Sequence, residues 1–250
     1  MLDRLLAPVR IPERKDRPLV SFLLITYGRA AKQPWMINEA LWWCCNQDYP
    51  NVEVLVLNDA PNQTLVCDHP KVRVVNWPER LPDLGSKMNL ATMLAAGSIC
   101  CPAEDDDISL PHRARQAVFM TQRYDCWFPM QWLFDHKGEM PIITGNGYGY
   151  TSCAFKRHAM IGNHPIAIAG HDKAAAAWMR ANLRVNPVEL KEKDPEVSYV
   201  YRWNVSPLHL SGHNDPVNAF LNNDPGSPGE YRIEPKALTN WTTAVTRALG

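Results

Sequence analysis

Cys100 to Pro111 reads CCPAEDDDISLP. An apolar run, Ser98 to Ala103, leads straight into four consecutive acids, Glu104, Asp105, Asp106 and Asp107. Such a run is ordinarily a solvated loop or the acidic first turn of a helix. Here a strand-like segment delivers the acids together. Like charges within about 4–6 Å disfavour joint ionisation, so a counter-ion is expected. Oxygen ligands alone suit a hard divalent ion, Mg²⁺ or Mn²⁺. Mg²⁺ typically takes one or two carboxylates and completes its shell with water and phosphate oxygens. The stretch therefore points to a substrate that carries a diphosphate.

The surrounding sequence supplies the sheet. LVSFLLITYG (Leu19 to Gly28) is a continuous apolar run ending in turn residues, which marks a strand buried on both faces. VEVLVLND (Val52 to Asp59) and KVRVVNW (Lys71 to Trp77) read likewise. Helices are expected over Pro34 to Gln47, Gly85 to Gly97 and Leu110 to Arg123, the second closed by its glycine. Alternating strand and helix argue for βαβ units and an open, mostly parallel sheet. Ligands of such sheets bind beyond the carboxyl ends of the strands. Three strands end there in polar groups: Thr26 to Arg29, Asn58-Asp59 and the acidic run. One pocket lined by all three is the economical reading.

The second half is less regular and rich in aromatic residues. His171 to Leu183 reads as a helix and Val197 to Trp203 as a strand. After His213 the composition of Asn, Asp, Pro and Gly predicts an extended or mobile tail, with a short helix near the end.

The chain has 250 residues, 46% hydrophobic and 21% charged, enough for one large domain or two small ones. Its formal net charge is zero, so no global field draws it to nucleic acid or an anionic membrane. A nucleic-acid acceptor is possible but not indicated. No apolar run approaches the roughly 20 residues that span a bilayer. The first 18 residues are too charged for a signal peptide. Seven cysteines without a C-x-x-C pattern read as reduced, mostly buried thiols of a cytoplasmic protein, with structural zinc a weak alternative.

Together these segments resemble a family 2 glycosyltransferase of the GT-A fold. The likeness rests on ITYGR (Ile25 to Arg29), CCNQDYPNVEVLVLND ending at Asp59, GSKMN (Gly85 to Asn89), EDDDISLP, GHD (Gly170 to Asp172) and YRWNVSPLHLSG. It covers roughly residues 19 to 213, the specific part in the first half. It implies a Rossmann-like sheet flanked by helices: an extension over 1–18, a nucleotide-sugar half over 19–110, an acceptor half over 111–213 and a tail over 214–250. It also implies an inverting, metal-dependent transfer of sugar from a nucleoside diphosphate, UDP by family habit, to an acceptor hydroxyl.

The resemblance assigns roles to matching positions. Thr26, Tyr27 and Arg29 contact base and ribose. Asp59 accepts from the base. Lys87 faces phosphates or ribose, and Asn89 belongs to the same helix start. Asp105 reaches the ribose. Asp106 binds Mn²⁺ or Mg²⁺, Glu104 and Asp107 complete the set, and His209 or its competitor His213 adds a ligand. Asp172 is the base, although helix N-capping also suits it. Trp127, Trp132 and Trp203 are candidates for stacking on sugar, although aromatic residues are more often core. The chain departs from the family pattern at Gly28, Glu104 and His171, where Asn, Asp and Glu are usual. A nucleotidyltransferase, or a family member that binds sugar or nucleotide without turnover, is the competing reading.

Overall fold

The computed structural model describes residues 17–136, 142–144, 149–167, 170–187, 197–203, 216–241 and 243–244. Its centre is a six-stranded sheet. β1 (Val20–Thr26), β2 (Val52–Asn58), β4 (Val72–Asn76) and β5 (Ile99–Glu104) run parallel in the order β4-β2-β1-β5. Beyond β5, β10 (Ala154–Lys156) pairs antiparallel with β5, and β7 (Cys126–Trp127) antiparallel with β10.

Every residue of β1 and of β2 is buried. Alternation divides their side chains between the two faces. Phe22, Leu24, Val54 and Val56 join a core cluster with Ile37 and Leu41 of α2 (Pro34–Cys45) and Ala114 and Ala117 of α4 (Arg113–Thr121). Leu23, Ile25, Leu55 and Leu57 pack on the other side with Met88 and Ala91 of α3 (Leu84–Leu94) and Ala175 and Met179 of α6 (His171–Asn182). A short helix α1 (Arg29–Lys32) precedes α2, and α5 (Arg157–Met160) follows β10.

Register fixes the site. Thr26 lies opposite Asn58, and Ile25 opposite Glu104. The polar strand ends therefore meet at one sheet edge. A second, four-stranded sheet, β6 (Ile108–Ser109), β11 (Tyr199–Trp203), β8 (Gln131–His136) and β9 (Ile142–Thr144), meets that edge where Tyr199 and Arg202 bond to Asp107.

Three expectations are corrected. α3 does not end on a left-handed glycine: its C-cap is Ala95 in extended geometry. Gly97 is needed for a different reason, because a Cβ there would lie 2.4 Å from the Leu19 carbonyl oxygen. α4 begins at Arg113, after Pro111 and His112. The tail is not merely extended. It holds α7 (Pro216–Leu221), and β12 (Gly229–Arg232) pairs in parallel with β3 (Gln63–Val66). Ile233 reaches the first core, and Trp241 packs with Trp43 and Leu133. Glu39 anchors this return: its carboxylate accepts from Thr239 N and Trp241 Nε1 and pairs with Arg202 at 2.7 Å.

Candidate active site

The acidic run turns between β5 and β6, and its four carboxyl groups have different partners. Asp105 accepts from Thr26 Oγ1 at 2.6 Å and from Arg29 Nε at 3.1 Å, one bond on each oxygen. Asp107 accepts from the Tyr199 hydroxyl and from Arg202 N, again one on each oxygen. Asp106 meets Arg29 Nη2 at 2.8 Å through Oδ2, and its Oδ1 has no partner among the described residues. Glu104, half-buried, has no hydrogen-bonding or ion-pairing group among the described residues. The oxygens left for a ligand belong to Glu104 and Asp106.

Arg29 reaches two carboxylates because Gly28, at φ 73°, turns the chain sharply from β1 into α1. Burial opposes the Arg29 charge, yet Asp105 and Asp106 outweigh it and raise its pKa. Arg202 stiffens the same turn by donating through Nε to the Asp106 carbonyl while its Nη1 pairs with Glu39.

The remaining charge is not balanced. Five carboxyl groups, Glu104 to Asp107 and Asp172, line one cavity with three cations, Arg29, Arg80 and Lys87. That is a formal excess of two negative charges. Burial and then Asp172, followed by the neighbouring aspartates, hold the Glu104 carboxyl well above its ordinary range. Burial and Asp106 push Asp107 up to about 8, against the bonds from Tyr199 and Arg202. Burial also raises Asp172, with His171 acting in the opposite direction. A divalent ion would offset this excess, and hard carboxylate oxygens are the donors it prefers. The donor set thus fits Mg²⁺ or Mn²⁺, held by Glu104 and Asp106 with water and phosphate. Among the described residues no three His, Cys, Asp or Glu side chains make an all-protein metal cage.

Asp172 comes to the cavity on the first turn of α6. The N-cap of that helix is Gly170, at φ 70°, so Asp172 does not cap it. Its position in the first turn is still favoured by the helix dipole. His171 is buried, donating through Nδ1 to the Pro165 carbonyl at 3.2 Å, with Nε2 unpartnered among the described residues.

Thr26, Tyr27, Arg29 and Lys87 all line the cavity. Asp59 does not. It is fully buried beneath the rim, paired with Lys87 Nζ at 2.7 Å and accepting from Leu81 N at 2.9 Å. Asn89 also turns elsewhere: its carboxamide exchanges two hydrogen bonds with the backbone of His164. Trp127 is core at 1% exposure, which removes it as a stacking surface. Trp132 is half-buried beside Gly149. The side chain of Trp203, and all of His209 and His213, lie outside the described residues.

Sequence reasoning missed Arg80 and Phe220. Arg80 lies in an irregular stretch between β4 and α3, and Phe220 on α7. Both line the cavity. No local period marks either one. The only hint was an apolar Phe in a polar segment.

No family model and no curated relative matches the chain. Solved structures do. S. aureus TarS 1-349 in complex with UDP-GlcNAc matches with TM-score 0.59 and 13% identity over 79% of this chain and 62% of that one. The mannosyltransferase PcManGT from Pyrobaculum calidifontis, in complex with GDP-Man and Mn²⁺, matches with TM-score 0.52 and 19% identity over 80% and 61%. The chain thus spans about 60% of the length of the solved chains it matches. At such identities the likeness establishes the fold, which is the GT-A glycosyltransferase fold.

Proposed function

We propose that this protein transfers a glycosyl group from a nucleoside-diphosphate sugar to an acceptor hydroxyl, inverting the anomeric carbon. One observation carries the reading: on a GT-A fold, Asp172 faces the same cavity as the acidic turn, and burial followed by the charge of Asp172 raises the Glu104 pKa. The cavity sits beyond the carboxyl ends of parallel strands, where ligands of such sheets bind. The complexes of the solved neighbours with UDP-GlcNAc and with GDP-Man and Mn²⁺ support a nucleotide-sugar donor.

In this mechanism the acceptor oxygen attacks the anomeric carbon as the bond to the diphosphate oxygen breaks. Asp172 takes the hydroxyl proton. Its raised pKa makes it a stronger base than an exposed aspartate, and base strength governs such transfers. Lys87 and Arg80 place positive charge on the cavity wall where the leaving diphosphate gains negative charge. Arg29 and Thr26 keep Asp105 and Asp106 oriented before substrate arrives. Glu104 and Asp106 would hold a divalent ion, which would supply Lewis-acid neutralisation of the departing group.

A thermal-shift screen of UDP- and GDP-sugars with Mn²⁺ tests the proposal. At a hundredfold excess over Kd, a ligand adds about 2.7 kcal/mol. For a chain of this size that is a rise of about 5–10 °C. One nucleotide class is expected to give it, and Asp106→Ala to abolish its metal-dependent part. If Asp106→Ala shifts as the wild type does, the metal assignment is wrong.

A further inference from the structure

The carboxylate of Asp172 has no hydrogen bond or ion pair among the described residues. Its position is therefore that of the first turn of α6. No side chain caps that turn, because its N-cap is Gly170. The neighbouring His171, 3% exposed, ties it to the rest of the fold: its Nδ1 donates to the Pro165 carbonyl at 3.2 Å. A carbonyl only accepts, so the proton sits on Nδ1. Nε2, without a partner among the described residues, is the bare nitrogen. The ring is then neutral, the form that burial favours.

Pro165 is itself fixed to α3. Its carbonyl oxygen lies against the start of that helix, since a Cβ on Gly85 would fall 1.9 Å from it. The Asn89 carboxamide brackets the residue before: Oδ1 accepts from His164 N at 3.0 Å, and Nδ2 donates to the His164 carbonyl at 2.9 Å. The His164 ring bridges Thr92 Oγ1 and the Tyr150 hydroxyl, 3.0 Å from each. Tyr150, also buried, stands edge-on to both imidazoles, its ring centre 5.9 Å from that of His164 and 5.1 Å from that of His171. Gly85, Asn89 and Thr92 follow one another at helical spacing, so one face of α3 holds His164 and Pro165. The same helix bears Leu84 and Lys87, which line the cavity that Asp172 faces.

We propose that His171 is a positioning residue for Asp172: through Pro165 and the Asn89 bracket it locks the first turn of α6 to α3, and so fixes the base relative to Lys87. The inference rests on the reading of Asp172 as the base, and it adds a residue that does not line the cavity. It also gives a reason for His171 where Glu is usual in the family. An ionised glutamate has no hydrogen to donate to the Pro165 carbonyl. It would also set one more negative charge beside a cavity whose carboxyl groups already outnumber its cations. The imidazole donates without adding charge.

Two measurements on the full chain test this. Release of nucleoside diphosphate from UDP- and GDP-sugars with Mn²⁺ gives kcat and donor KM for wild type, His171→Leu, His171→Asn and Asn89→Asp, each assayed below its melting onset. Asn89→Asp sets a carboxylate oxygen against the His164 carbonyl. A catalytic group misplaced by about 1 Å costs about 100-fold, so His171→Leu and Asn89→Asp should lower kcat about 10- to 100-fold and leave donor KM near the wild-type value. His171→Asn, whose carboxamide can donate in place of Nδ1, should keep most of kcat. Nitrogen-15 NMR reads the clamp without activity: the imidazole signal lost in His171→Asn should be that of a neutral ring protonated at Nδ1. Wild-type kcat in His171→Leu, or equal losses in His171→Leu and His171→Asn, overturns the positioning role alone. So does a fall in kcat matched by a rise in donor KM, which would mean a general loosening, and so does a His171 ring protonated at Nε2. Wild type that releases nothing from any donor overturns the enzymatic reading and the positioning role together, even with the Nδ1 proton in place.

Discussion

Replacing Arg29 by methionine isolates the ion arrangement under the acidic turn. Arg29 is 6% exposed and spans Asp105 and Asp106 at 3.1 and 2.8 Å. Methionine has a similar reach and no charge. Among the described residues, the substitution leaves Asp105 with Thr26 alone and Asp106 with no paired side-chain cation. At about 3 Å and an effective dielectric constant of about 20, each pair attracts by roughly 5 kcal/mol before desolvation. Measured losses on removing one member of a buried pair are about 3–5 kcal/mol, because the survivor stays buried and uncompensated. The midpoint of thermal unfolding should fall by about 10 °C. Arg29→Lys should fall in between, since a point charge cannot fork to two carboxylates. Because the deficit is one of positive charge, Mn²⁺ should stabilise Arg29→Met more than the wild type. Thermal and chemical denaturation, each with and without Mn²⁺, read all three. A loss below 1 kcal/mol, as for an exposed pair, would refute the reasoning.

Asp172→Asn should lower kcat about 10²–10⁴-fold with little change in donor KM, measured by transfer or donor hydrolysis. Without metal, stability should fall as pH rises. Asp107 has a folded pKa of about 8 against about 4 unfolded, so above pH 4 the unfolded chain releases a proton that the fold retains. The decline runs from about pH 4 to about pH 8, and Glu104 and Asp172, also raised, add to it. Melting curves across that range should show it, and Mn²⁺ should flatten it. Glu39→Ala should cost about 3–5 kcal/mol by stranding buried Arg202, and limited proteolysis should then cut near Thr239 earlier. Gly97→Ala should cost about 1–3 kcal/mol through its clash with Leu19, as read by urea unfolding.

The parallel half of the fold was legible because its strands are buried on both faces, and continuous apolar runs record that directly. Val20–Thr26 and Val52–Asn58 appear almost to the residue. The acidic turn was legible as a cluster, but its internal differences were not. Sequence ranked Asp106 first and Asp105 next. Geometry ties up both oxygens of Asp105 and of Asp107 and leaves Glu104 facing the cavity. Those ties come from Thr26, Arg29, Tyr199 and Arg202, residues far away along the chain. The same distance hid the C-terminal return. β12 pairs with β3 across more than half the chain, and local composition registers only the Gly and Pro of its flanks. In GEYRIEP the alternation of Tyr231 and Ile233, which pack on the core, was the one usable signal. Gly28 illustrates the same limit. Sequence marks it only as a departure from the family pattern at the strand-end turn, yet Pro225 lies where a side chain would be.

The most direct test is release of nucleoside diphosphate from UDP- and GDP-sugars by wild type, Asp106→Ala and Asp172→Asn, each with Mn²⁺ and with chelator. The account predicts metal-dependent release from one nucleotide class by the wild type. Asp106→Ala should lose the dependence on metal, and Asp172→Asn should bind donor yet turn it over at least a hundredfold more slowly. Release that is indifferent to metal and to both substitutions, or none from any donor, would contradict it.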